Sequence, residues 1–493
     1  LRRDFVPAQR LKRAASSRPH ALEAQDGACT TAAQQGLAGQ PGQFEPQPLQ
    51  PSVVGCQYPT FGFAGGLIPQ PLSLPFVDIS LQRSATGRNT YFLLSRQVSR
   101  MTMAAAIQSR TAESPARPRA SHIAHVDVVG DLAEAEPVWR ALEEPGHLFT
   151  PYQRFDLLGS WQRSVGEREG ARPFIVIARD AEHRLLAVLP LALRQGHGVR
   201  TACFMGGKHT TFNMGLWSAE FAAQARAADI DMLFAPLREQ VDVLALTQQP
   251  RHWHGQQNPF ALLPQQSAIN GCPLLEMEPG GPPASRISNS LRRRLKSKEK
   301  KLHGLAGYRY HLATTDADVT RLLDWFFRVK PVRMAEQKLP NVFAEPGVEQ
   351  FIRDACLSPR GEGRVIDIHA LECDDEVIAV FAGVADGQRY SMMFNTYTMS
   401  EHARYSPGLI LMRYIIDRYA ERGYRSLDLG IGTDDYKRMF CRGDEDIFDS
   451  FVPLTSRGRL AAMAMSSFNH GKRLVKQNQM LLDLARRVRQ AFG

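Results

Sequence analysis

Apolar positions along this chain fall into two similar series separated by a Pro/Gly cluster. In the first, the alternating stretch 123–129 predicts a strand and 131–142 a helix. Phe155, Leu158 and Trp161 recur at helical spacing after Pro151. The apolar runs 174–179 and 185–193, joined by the turn-like 180–183, predict a hairpin. Residues 200–205 read as a third strand, 219–228 as a helix and 229–234 as a fourth strand. The cluster 279–283 marks a linker. The second series opens with a helix over 288–302, with Leu291, Leu295 and Leu302 on one face. A strand (308–312), helices (316–336 and 346–357) and three closely spaced strands (365–371, 377–384 and 390–396) follow. Asp374-Asp375 and Asp386-Gly387 supply the tight turns between those strands. A helix from 409 to 422, a strand at 426–430, a short helix around Tyr436 and a strand at 447–452 complete the series. The shared plan suggests an internal duplication.

Residues 1–120 break this pattern. They are rich in Pro, Gly, Gln and Ser, carry no sustained period and read as a disordered or mistranslated extension. Met101 or Met103 is a natural start. At the other end, 457–492 reads as a basic amphipathic helix or helix pair, with Leu481, Leu484, Val488 and Phe492 on one face. Packing across a domain surface is the expected role of this segment, and peripheral membrane contact the alternative. The expected division is therefore 1–120, a first folded domain over 121–280, a second over 285–456, and the C-terminal helix over 457–493.

Charge changes the picture little. The net charge of +10 is concentrated outside the patterned region, because 1–120 holds 13 Lys or Arg against 6 Asp or Glu. The folded remainder is nearly balanced, which argues against DNA as a partner. The run Arg292-Arg-Arg294, Lys296, Lys298, Lys300 and Lys301 lacks interleaved aromatics and suits a solvated face or an anionic ligand. Cys29, Cys56, Cys203, Cys272, Cys356, Cys373 and Cys441 stand singly, so no zinc or other metal site and no disulfide framework is expected. A reducing, cytoplasmic setting fits.

Three segments of the second series carry a resemblance: the Leu291-Arg-Arg-Arg-Leu helix, Ser406-Pro-Gly-Leu409, and Leu427-Asp-Leu-Gly-Ile-Gly-Thr-Asp-Asp-Tyr-Lys437. Together they resemble the CelD-like (cellulose-biosynthesis) acetyltransferases, a GNAT branch related to the FemAB aminoacyl transferases. Phe204-Met-Gly-Gly-Lys-His-Thr-Thr-Phe-Asn213 extends the likeness into the first series. The resemblance implies an α/β (α+β) fold of two tandem GNAT-like domains with mixed, largely antiparallel sheets. It further implies transfer of an acyl group from acetyl-CoA or another acyl-CoA to an amine or hydroxyl of a sugar or polysaccharide precursor. FemAB-like transfer from aminoacyl-tRNA and a non-catalytic scaffold role are the competing readings. A third, an S-adenosylmethionine turn at 428–434, fails because Asp434 replaces a glycine and too little chain follows.

Physical chemistry then nominates residues. A coenzyme A pyrophosphate needs backbone N–H donors at a helix N-terminus, where Ser406, Pro407, Gly408 and Leu409 stand. A tyrosine can protonate a leaving sulfur and a lysine can polarise a carbonyl, which nominates Tyr436 and Lys437. Asp434 and Asp435 are placed to orient or deprotonate an amine. Asn395 and Tyr397, polar residues ending an apolar strand, are expected near the acyl group, and His209 and Asn213 on the cleft between the domains.

Overall fold

The computed structural model describes residues 121–373, 375–432 and 434–477, and the expectations for 1–120 and for Leu481, Leu484, Val488 and Phe492 lie outside them. The first half runs β1 (His125–Val129), α1 (Leu132–Ala141), α2 (Phe155–Trp161), β2 (Arg172–Arg179), β3 (Leu185–Gly196), β4 (Val199–Phe204), α3 (Ala219–Gln224), α4 (Ala227–Phe234) and β5 (Val243–Pro250). Local chemistry sets these boundaries. The Asp131 carboxylate accepts from the Ala133 N–H at 2.7 Å and starts α1. The Asp180 carboxylate accepts from the N–H groups of Glu182 and Arg184, at 3.0 and 2.8 Å, and folds the β2–β3 turn.

The first half ends with β6 (Cys272–Glu276), just before the 279–283 linker, and the second half begins with α5 (Asn289–Leu302), β7 (Arg309–Leu312), α6 (Asp316–Glu336) and α7 (Val348–Leu357). Next come β8 (Asp367–Cys373), β9 (Glu376–Ala385), β10 (Arg389–Tyr397) and α8 (Pro407–Glu421). The chain finishes with β11 (Ser426–Asp428), α9 (Asp435–Phe440), β12 (Gly443–Glu445), β13 (Ile447–Pro453) and α10 (Ser456–Gln477).

Two expectations for the first half need correction. Residues 229–234 form helix α4 rather than a strand, because the Asp229 carboxylate accepts from the Arg226 N–H at 2.8 Å and fixes a helical first turn. The strand that pairs parallel to β4 is instead β5, whose apolar residues the pattern did not single out.

The architecture is α/β, with two mixed, largely antiparallel sheets in tandem. Each holds a four-strand antiparallel meander, β1-β2-β3-β4 and β7-β8-β9-β10, and each meander takes a fifth strand in parallel, β5 or β11. The sixth position is exchanged between halves. Strand β13 lies antiparallel to β5 of the first sheet, and β6 lies antiparallel to β11 of the second. A cut in the 279–283 linker would thus strip each sheet of a strand drawn from the other side.

Packing joins the halves further. One apolar core runs from Trp139 and Trp161 through Phe326, Phe351 and Phe394, crossing from the first half into the second. At Gly347 the halves meet backbone to backbone. A Cβ there would stand 1.8 Å from the Ser164 carbonyl oxygen, and φ is +84°, so only glycine fits. A separate core lies between the second sheet, α5 and α8. No helix among the described residues is long and apolar enough to cross a membrane.

Candidate active site

Strands β10 and β11 pair only from Arg389/Ser426 to Ser391/Asp428. Strand β11 then ends, while β10 continues to Tyr397. A register shift against β9, from Ala382/Phe394 to Gly383/Met392, skips Met393 and bends β10 at this point. The parallel pair therefore splays, and β10 presents an edge that β11 does not cover. The loop after β11 closes the base of the splay, where a Cβ on Gly430 would lie 3.0 Å from the Met392 carbonyl oxygen. Helix α9 forms one side.

Tyr436 on α9 faces this edge. Its hydroxyl oxygen accepts from Asn395 Nδ2 at 3.3 Å. Because the amide occupies the oxygen as acceptor, the phenolic proton is left to point elsewhere. Burial pushes the phenol up to about 12, so it stays protonated at neutral pH. Lys330 of α6 meets the same residue, its ammonium donating to the Asn395 carbonyl oxygen at 3.0 Å. Burial, and then the charge of Arg333, pulls this amine down to about 8, against the opposing influence of Asp434. Tyr397 lies at the rim, with the Arg333 guanidinium 3.5 Å above its ring centroid. The structure thus brings Asn395 to Tyr436, with Tyr397 farther along the same strand, and adds Lys330, which the sequence reading did not single out.

Lys330 was detectable. Leu322, Phe326, Lys330 and Met334 recur every four residues on α6, and the other three are buried. A lysine inside an apolar stripe is a half-buried cation that needs a partner.

Lys437 departs from its expected role. Its ammonium donates to the carbonyls of Gly430 at 3.2 Å and Ile431 at 3.0 Å, and pairs with Asp434 at 3.4 Å. Those contacts use its three protons, so it holds the 430–434 loop rather than facing a substrate. Asp434 and Asp435 are exposed at the start of α9.

Beneath the loop lies a buried charge network. Asp428 accepts from Arg389 Nε at 2.9 Å, Ser391 Oγ at 2.5 Å and the Gly430 N–H at 3.1 Å. Arg389 also reaches Glu445 at 2.5 Å and lies over the rings of Phe212 and Trp253 from the first half. The exchanged strand adds the Pro273 carbonyl, which accepts from the Leu429 N–H at 3.2 Å. Asp428 is thus a structural anchor.

The N-terminus of α8 opens beside the splay. Ser406 adopts φ +58° and makes no side-chain cap. Pro407 has no N–H, and those of Leu409 and Ile410 return to the Ser406 carbonyl at 3.0 and 3.2 Å. Gly408 is left as the donor of that turn, and a Cβ on it would meet the Tyr397 ring at 3.4 Å. The Lys298 ammonium donates to Ser406 Oγ at 2.7 Å, adding a cation at the same place. An anionic phosphate fits this set of one N–H, one hydroxyl and one ammonium. Only one of its donors is a backbone N–H, because Pro407 has none and those of Leu409 and Ile410 are taken.

Asn213 is engaged within the first half, whereas the His209 ring also lies edge-on to Phe351 of the second half, with centroids 6.1 Å apart. The Asn213 amide accepts from Thr210 Oγ1 at 2.8 Å and donates to the Thr247 carbonyl at 3.2 Å. Gln248 Nε2 donates to the Thr210 and Thr211 carbonyls, so the loop is tied along β5, the strand matching β11. That loop fills the place where the first sheet's parallel pair would open. His209 Nδ1 accepts from Trp161 Nε1 at 3.1 Å, and burial pulls its imidazole below the usual value and keeps it neutral.

Residues 289–438 match the family described as "Acetyltransferase (GNAT) domain". The matched segment begins with α5, ends in α9 and contains Lys298, Lys330, Asn395, Ser406 and Tyr436. The second half therefore carries a GNAT acetyltransferase domain, the fold of an acyltransferase enzyme. No curated protein matches the chain in sequence. Among solved structures, the C-terminal domain (DUF2156) of a putative lysylphosphatidylglycerol synthetase from Agrobacterium fabrum is 12% identical, with a TM-score of 0.42 over 68% of this chain and 95% of that one. FemX is 6% identical, with a TM-score of 0.44 over 66% and 97%. A tandem GNAT protein from the clavulanic acid biosynthesis pathway is 13% identical, with a TM-score of 0.35 over 67% and 99%.

Proposed function

We propose that the splay of β10 and β11 transfers an acyl group from an acyl-CoA, acetyl-CoA in the simplest case, to an amine or hydroxyl of a sugar or polysaccharide precursor in the cytoplasm. The observation that carries this reading is the convergence of a protonated phenol and a low-pKa amine on the two polar ends of one residue, Asn395, at an open strand edge. In its neutral form Lys330 takes the proton of the attacking amine or hydroxyl as the new C–N or C–O bond forms. Tyr436 gives its proton to the departing sulfur as the C–S bond breaks. The Tyr436 phenol keeps its proton for delivery, and the fraction of Lys330 that is neutral and able to remove a proton grows as pH approaches about 8. Lys298, Ser406 and the Gly408 N–H would hold the donor's phosphate. The saccharide acceptor rests on the CelD-like resemblance of the Leu291, Ser406 and Leu427–Lys437 segments.

A second reading, FemAB-like transfer from aminoacyl-tRNA, is favoured by the single N–H donor in the first turn of α8, since that donor needs no pyrophosphate cradle. Thiol release measured with a chromogenic disulfide separates the two. Acyl-CoA supplied with a panel of amino sugars and oligosaccharides is expected to give acceptor-dependent thiol. No release with any acyl-CoA, together with transfer of a labelled amino acid from charged tRNA, overturns the first reading in favour of the second.

A further inference from the structure

Helix α10 (Ser456–Gln477) closes the outer side of the first sheet, and one of its faces is committed to that packing. A Cβ on Gly458 would stand 1.6 Å from the Asp242 carbonyl oxygen, so the helix sits flush against the segment leading into β5. Ala462 is buried, and Asn469 Nδ2 donates to Asp449 of β13 at 3.0 Å. The opposite face is unlike an ordinary solvated one. Leu460, Met463 and Leu474 are 68%, 54% and 50% exposed. At 3.6 residues per turn these three share an arc of roughly 100° with Ala464, Ser467 and Gly471. The strip is apolar or small throughout.

Charge flanks it on both sides. Arg459 and His470 border one edge, Arg457 borders the other with Lys472 farther round, and Lys476 falls on the packed side of the helix. The 22-residue helix contains no Asp or Glu. Among the described residues none of its Lys or Arg side chains is ion-paired: Lys476 donates to Asn270 and Lys472 lies over the Phe468 ring.

We infer that this face of α10 docks on an anionic lipid surface. An apolar strip bordered by Arg457 and Arg459, on a helix with no acidic residue, matches a bilayer interface, in which acyl chains lie beneath negatively charged headgroups. Nucleic acid would satisfy the cations but offers nothing apolar to cover Leu460, Met463 and Leu474. A second copy meeting this face about a two-fold axis would bring the same uncompensated cations together. The inference stands independently of the acyl-transfer reading.

The test is co-sedimentation of the full chain with vesicles of equal parts phosphatidylglycerol and phosphatidylcholine, and with phosphatidylcholine alone. Binding to the anionic vesicles is expected, weakening as salt is raised. Leu460→Glu/Met463→Glu should reduce it at least tenfold while leaving the melting temperature unchanged, because both side chains are exposed. A second variant, Arg457→Gln/Arg459→Gln/Lys472→Gln, should lower affinity for anionic vesicles alone. Three results overturn the proposal: no binding to anionic vesicles, equal binding to both vesicle types, or binding untouched by Leu460→Glu/Met463→Glu. A fall in oligomeric state on the glutamate substitutions would assign the strip to a second copy and overturn it as well.

Discussion

Tyr436→Phe is expected to lower kcat by about 10²–10⁴-fold with little change in KM, because it deletes a proton donor without emptying space. Lys330→Met should cost a comparable factor by deleting the base. The two are separable by pH. Lys330 must be neutral to accept a proton, and its amine titrates at about 8, so kcat in the unaltered enzyme should climb with pH up to that region and then level off. The Tyr436 phenol, at about 12, keeps its proton throughout. In Lys330→Met the limb near 8 should vanish, whereas in Tyr436→Phe it should persist at reduced rate. Lys330→Arg should not rescue activity, since a guanidinium stays protonated in this range. A pH–rate profile of the three variants checks each statement. A limb near 8 that survives in Lys330→Met would remove Lys330 from the chemistry.

The second large effect concerns stability. Arg389→Met strands the buried Asp428 and the half-buried Glu445 beside each other's charge with only part of their hydrogen bonding left. Breaking a buried pair by removing one partner costs about 3–5 kcal/mol, most of it for the charge left alone. Loss of the contacts with Phe212 and Trp253 adds to this. Because those rings belong to the first half while Asp428 belongs to the second, denaturant unfolding of Arg389→Met should still be one transition, shifted to lower denaturant. Two separated transitions would mean that the halves are independent and the exchanged strands are weak.

This network explains how the first half serves the second. Its loop at 205–213 fills the first sheet's own opening, so the first half offers no comparable open edge. Instead it places Thr211 3.8 Å from where a Gly430 Cβ would be, behind the loop that leads to Tyr436.

What the sequence made legible followed from local periodicity. The β8–β9–β10 meander, the Ser406-Pro-Gly turn into α8, the short helix at Tyr436 and the last strand were all readable, because alternation and turn residues act over a few positions. Helix α4 was misread because so short a stretch of mixed apolar and acidic residues does not distinguish strand from helix, and the deciding contact was the Asp229 cap. The strand exchange was invisible, since it pairs β6 with β11 across about 150 residues and leaves no local mark. Lys437 looked catalytic because a lysine beside a tyrosine is chemically suggestive. Only the fold reveals that the Gly430 and Ile431 carbonyls use its charge.

The central claim, that the open edge beside Ser406 and Tyr436 takes an acyl-CoA, is tested most directly by calorimetric titration of acetyl-CoA into the full chain. The account predicts saturable binding, weakened by Lys298→Glu and by Gly408→Trp but retained in Tyr436→Phe, whose hydroxyl acts on the chemistry rather than on the phosphate. Absence of heat with acetyl-CoA and with longer acyl-CoAs, or binding indifferent to both Lys298 and Gly408, would contradict it.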